Sequence, residues 1–178
     1  MKTITAQFGG MKRLFHYTRL SRLESILSDG EIKLATSNVL PPEKAVVWFS
    51  YRQEWEPTAT PVMVGFDGTL VDLTFDELTQ RDTPARIEID PLAAPLTWRA
   101  WRKTSGVNRR VAKALQITAM AKDSNSADWR MSFEPVRSEH WRAIEIFVGG
   151  RWSQFEGTSM TRPADAKTGS ENILNIYA

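Results

Sequence analysis

Cysteine is absent from the 178 residues and histidine occurs only twice. A disulfide framework, a thiol nucleophile and a zinc ribbon are therefore excluded, and two histidines suggest no metal centre. No apolar run approaches the ~18 residues that span a bilayer, and the first residues form no secretory h-region. A cytoplasmic protein with no membrane partner is expected. Neither a Gly-x-Gly-x-x-Gly pattern nor a Walker loop occurs, so any nucleotide must be held in another way. Internal repeats and low-complexity blocks are missing too. Acidic side chains are missing locally: none lies between Asp90 and Asp123.

What remains is ordinary for a folded chain. The hydrophobic fraction is 42% and the charged fraction 25%, a balance that opposes intrinsic disorder and can bury a real core without staples. One domain is the expectation from length. The net charge of +2 hides an asymmetry: residues 1–90 carry 10 basic and 13 acidic side chains, residues 91–178 carry 13 and 8. The acid-free stretch holds Arg99, Arg102, Lys103, Arg109, Arg110, Lys113 and Lys122, with Trp98 and Trp101 interleaved among the first of them. Cations that displace phosphate counterions, beside rings that stack on bases, fit a nucleic-acid partner. A solvated helix face over buried tryptophans fits the same residues equally well.

Periodicity predicts a mixed order of few helices and many short strands. Ser21 and Glu24 read as a capping box for a helix that Asp29-Gly30 ends, with Leu23, Ile26 and Leu27 as its stripe. Short strands are expected at Ile32–Leu34, Val46–Phe49, Pro61–Phe66 and Arg86–Asp90. Thr74 and Glu77 form a second capping box. A longer helix is predicted over 107–122, with Val111, Ala112, Leu115, Ala119 and Met120 on one face. Trp141–Val148 alternates as a strand, and Gly149-Gly150 turns it into Trp152–Phe155. Residues 1–156 are read as one α+β domain, and 157–178 as a polar tail whose Ile173, Leu174, Ile176 and Tyr177 could return as a terminal strand.

Three blocks stand out in order. Leu14-Phe15-His16-Tyr17-Thr18 precedes the first helix; Val46-Val47-Trp48-Phe49-Ser50-Tyr51 follows; Ala143-Ile144-Glu145-Ile146-Phe147-Val148 comes third. Together they resemble the motifs of the ADP-ribosyltransferase fold, in particular the DarT-type DNA ADP-ribosyltransferase toxins. The tRNA 2′-phosphotransferases open similarly. The resemblance implies two small, mainly antiparallel sheets around a cleft that takes NAD as co-substrate. It implies cofactor contacts from His16, Tyr17, Thr18, Ser50 and Tyr51. His16 would bond the adenosine ribose, and Tyr51, or else Trp48, would stack on the nicotinamide. Glu145 would be the catalytic carboxylate, holding the nicotinamide ribose and stabilising charge at the anomeric carbon. Glu134, Glu139 and Glu156 compete for that place, and Arg52 and Arg86 are available as a catalytic arginine.

The resemblance further implies a macromolecular acceptor of ADP-ribose, in a toxin or phage–host conflict setting. Nucleic acid held by residues 98–113 ranks ahead of a protein acceptor. A domain of the same fold that binds without turnover is the alternative. Read from the residues alone, His16 is a core histidine and Glu145 a solvent-facing glutamate on a half-buried strand.

Overall fold

The computed structural model describes residues 12–64 and 67–157, together with the backbone of Ile173 and Leu174. In chain order the elements are β1 (Leu14–Arg19), α1 (Leu20–Asp29), β2 (Glu31–Ile32), β3 (Val47–Ser50), β4 (Val62–Val64), β5 (Leu70–Asp72), α2 (Phe75–Arg81) and β6 (Pro84–Ile89). They continue with β7 (Leu96–Thr97), α3 (Trp98–Thr104), α4 (Arg109–Ala121), β8 (Trp129–Ser132), β9 (Val136–Arg137), β10 (Trp141–Val148), β11 (Arg151–Gln154) and β12 (Ile173–Leu174). The architecture is mixed α+β with mainly antiparallel sheets. Among the described residues no helix is long and apolar enough to cross a membrane.

Seven strands form the main sheet in the order β11-β10-β6-β1-β3-β8-β7, beside a three-stranded sheet β12-β4-β5 and a two-stranded pair β2-β9. The expected pair of small sheets is thus one large sheet, and the reason is local. Strands β1 and β6 pair along six residues, from Leu14↔Ile89 to Arg19↔Pro84, whereas β1 and β3 meet at a single pair, Phe15↔Ser50. That one rung joins a four-stranded half to a three-stranded half. Beyond it β1 and β3 separate.

The alternation of side chains explains the layers. Leu14, Ala85, Ile87, Ile89, Val47, Phe49 and Ile146 point to one face, where Leu23 of α1 completes a core. Phe15 and Tyr17 point to the other, against Trp55 and Leu78, with Phe75 and Trp152 at the border. A third cluster gathers Trp98, Trp101, Trp129, Met131, Ala112 and Ala119, flanked by Trp48 and Leu115.

Local signals were mostly read correctly. The Thr74–Glu77 capping box is present in both directions. Gly30 closes α1 at φ 68°, its N–H donating to the Ile26 carbonyl, and Gly149 and Gly150 both take positive φ in the hairpin. Ser21 does not cap α1: the helix starts one residue earlier, and the Ser21 hydroxyl donates to Asp82 instead. On α4 the expected stripe is narrower. Ala112 and Ala119 are buried, but Val111 is 44% and Met120 73% exposed, since the tryptophan cluster covers only the alanine side.

Candidate functional site

Two adjoining cavities share His16, Tyr17 and Ala59 as a common wall, and the smaller lies where β1 and β3 meet. The smaller lies between Trp48, Phe49 and Ser50 on one side and Leu115, Thr118 and Trp129 on the other. The larger, about 490 Å³, runs along the end of β1 and over α1, past Thr18, Arg19, Arg22 and Ser25 to Lys33. A space of that size falls in the range of ligand sites.

His16 sits where the ladder stops. Its Nδ1 lies 3.0 Å from the Trp48 carbonyl oxygen. A carbonyl only accepts, so Nδ1 carries the proton and Nε2 is left as an acceptor for a ligand hydroxyl. Burial pushes the His16 pKa down, against the bond to Trp48, so the ring stays neutral. Tyr17 is less free. Its hydroxyl donates to the Arg52 carbonyl, and burial, opposed by nearby Arg86, raises the phenol well above its ordinary value.

Ser50 ends β3 and donates from Oγ to Glu56 Oε2 at 2.8 Å. Glu56 is 5% exposed and walls the smaller cavity. Its other oxygen accepts from the Thr58 hydroxyl at 2.7 Å and from the Ser124 hydroxyl. Sequence reasoning missed this carboxylate. It lies in the irregular segment after β3, where no periodicity marks which side chain turns inward.

Glu145 occupies different ground. It pairs in register with Arg86 of β6. One oxygen lies 2.8 Å from Arg13 Nη2, the other 2.6 Å from Arg86 Nε, and Arg13 also binds Glu88. Burial would push the Glu145 carboxyl up, but the bonds and charges of Arg13 and Arg86 outweigh it and hold it below the ordinary range. Glu145 lines neither cavity, and neither do Glu134, Glu139 or Glu156. Arg86 is spent on Glu145 and stacks 4.1 Å above both Phe15 and Trp152; Arg52 is tied to Asp123.

Of the expected cofactor contacts, His16, Tyr17 and Ser50 share the smaller cavity with Trp48, while Thr18 lines only the larger one. Tyr51 does not. It packs against the first core, faces a shallow hollow beside Leu14 and Glu88, and carries Arg130 over its ring at 4.9 Å. The residue that follows a strand end alternates away from its neighbour, so Ser50 faces the cleft and Tyr51 the reverse side.

Comparison with protein-family models, with curated proteins and with solved structures yields no match. The geometry therefore carries the reading alone. Among the described residues no group of histidine, aspartate and glutamate could hold a metal ion.

The basic region divides in two. Trp98 and Trp101 are buried at 7% and 0% exposure, stacked on each other at 5.0 Å and edge-on to Trp129 and Trp48. They cannot stack on bases, which corrects the expectation for both. Residues i and i+3 of a helix share a face, so α3 turns its tryptophans inward and Arg99, Arg102 and Lys103 outward. These three, with Arg109, Arg110 and Lys113 of α4, are exposed. None of the six has an ion-pair partner among the described residues. Three cations stand in the first turns of α4 with no acid in its first turn, where the helix dipole disfavours them. An external anion would relieve that.

Proposed function

We propose that the chain is an NAD-dependent ADP-ribosyltransferase that modifies a macromolecular acceptor, nucleic acid ahead of protein. One observation carries the reading. His16 and Tyr17 from one sequence block and Trp48 and Ser50 from another line one cavity where β1 and β3 meet, and Thr18 lines the cavity that adjoins it. His16, neutral and with Nε2 unspent, suits a ribose hydroxyl. Trp48, half-buried in the wall of the smaller cavity, is the aromatic on hand for a cationic ring.

In such a transfer the bond from C1′ to the nicotinamide nitrogen breaks, with its electron pair leaving on neutral nicotinamide. An acceptor lone pair then bonds C1′, and the acceptor loses a proton. A carboxylate held near C1′ favours the developing positive charge over the ground state. Glu56 is the carboxylate in the cavity wall, and its three hydroxyl donors fix its orientation. The reading therefore moves the charge-stabilising place from Glu145 to Glu56. The acceptor side is supported by α4, which walls the smaller cavity through Leu115 and Thr118 and carries Arg109, Arg110 and Lys113 toward its start.

The test is nicotinamide release from NAD by wild type, His16→Ala and Glu56→Gln, with DNA, RNA or cell lysate added. Release that depends on an acceptor and disappears in both folded variants is expected. Undiminished release in both would overturn the assignment. A second reading, binding without turnover, is favoured by the full engagement of Glu145. It expects NAD to bind, nicotinamide never to appear, and polyanion binding to weaken when Arg109, Arg110 and Lys113 are neutralised.

A further inference from the structure

The end of β1 contains a charge that the described residues meet with a distant ion pair and no hydrogen bond. Arg19 is 8% exposed, yet its guanidinium makes no hydrogen bond among the described residues, and its Nε is fully buried without a partner. The nearest carboxylate, Asp82, stands 3.7 Å from Nε, beyond hydrogen-bond reach. Asp82 is already occupied: it accepts from the Ser21 hydroxyl and amide and from the Thr83 amide at 2.8 Å. A buried cation without hydrogen bonds is costly enough to be rare in a finished structure. Arg19 borders the larger cavity, and so does Arg22 on the first turn of α1, itself exposed and without an ion-pair partner among the described residues. That turn contains no acidic residue. Lys33, farther along the same groove, is neutralised by Asp29 at 2.8 Å.

We propose that Arg19 and Arg22 form the seat of a diphosphate group. Planar guanidinium forks match phosphate oxygens two at a time, and burial strengthens such bonds. Arg19 lies three positions after His16, about 10 Å along a strand. A ligand that reaches both is elongated, with a hydroxyl-bearing part at His16 and its anionic part at the arginines. The rest of that ligand's identity rests on the NAD reading above, but the seat itself does not.

The experiment is calorimetric titration at low salt of inorganic pyrophosphate, ADP, adenosine and NAD into wild type, Arg22→Ala and Arg19→Lys. Pyrophosphate and ADP should bind wild type and weaken about tenfold or more in each variant, as loss of a charge-assisted bond implies, while adenosine is unaffected. Equal affinity in wild type and both variants, or no binding of either phosphate ligand, would overturn the seat. Should Arg19→Lys fail to fold, the exposed Arg22→Ala decides alone. The NAD titration separates the two ideas. Arginine-dependent binding of ADP without any binding of NAD upholds the seat and overturns the transferase reading. NAD binding that neither substitution alters does the reverse.

Discussion

Replacing Glu145 by alanine distinguishes a catalytic carboxylate from one that holds the sheet together. The substitution leaves Arg86, which is 5% exposed, without its carboxylate. Removing one partner of a buried ion pair costs about 3–5 kcal/mol, because the other charge stays buried. Two features bring the expectation to the lower end. Arg86 keeps the Gln53 carbonyl and the Phe15 and Trp152 rings, and Arg13 reaches solvent. About 3 kcal/mol is therefore expected, a large share of the ~5–15 kcal/mol that stabilises an ordinary domain. Urea denaturation of wild type, Glu145→Ala and the double variant Glu145→Met with Arg86→Met measures it. The double variant should recover most of the loss, since it leaves no charge unpaired. The pH dependence has a definite sign. The folded carboxyl is depressed, so its contribution is complete above the ordinary glutamate range near ~4.3 and lost as pH falls through the folded value. An alanine variant within about 0.5 kcal/mol of wild type that has nevertheless lost nicotinamide release would refute this and return Glu145 to catalysis.

Three further outcomes follow from the same geometry. Trp101→Ala should cost about 3–5 kcal/mol in denaturant melts, and any loss of nucleic-acid binding should track unfolding rather than lost stacking; normal stability would show that the tryptophan cluster is not a core. His16, whose pKa burial lowers, should remain neutral in NMR titrations below the ordinary histidine range near ~6.5. Its contribution to stability is full above that range and declines as pH falls toward the folded value; ordinary titration would contradict its placement. Gly106→Ala places a Cβ 2.4 Å from the Pro42 carbonyl oxygen at a φ of +77°. A loss well above the ~1 kcal/mol of a simple glycine effect is expected by thermal melting.

Much of the scaffold could be read from short-range chemistry. Thr74, Gly30 and the Gly149-Gly150 pair act on neighbours a few residues away, and each behaves as its type predicts. Leu14–Thr18 stood out only as a motif, and the structure shows its alternation, with Leu14 in one core and Phe15 and Tyr17 in another. The site was legible where two blocks had to converge, as His16 and Ser50 do. It was illegible where a side chain's role depends on distant partners. Glu145 looked solvent-facing or catalytic because Arg13, 132 positions earlier, is invisible to local pattern. Glu56 gave no signal because an irregular loop has no period to betray burial, and Arg19, though in phase with buried Phe15 and Tyr17, is of a residue type that reads as exposed. Trp98 and Trp101 were ambiguous by composition, and only the helical phase of α3 decided between base stacking and packing.

The lone rung between Phe15 and Ser50 makes the large sheet mechanically two plates. An antiparallel strand spends its main-chain groups alternately on its two sides, so β1, paired fully with β6 alone, offers the remainder to the gap. Those groups belong to the backbone and survive any substitution but proline. Side chains hold the halves together in place of the missing rungs: the His16–Trp48 and Tyr17–Arg52 bonds and the core that Val47 and Phe49 share with Leu14 and Ile87. Amide exchange along the open edge of β1 should outpace that along β6.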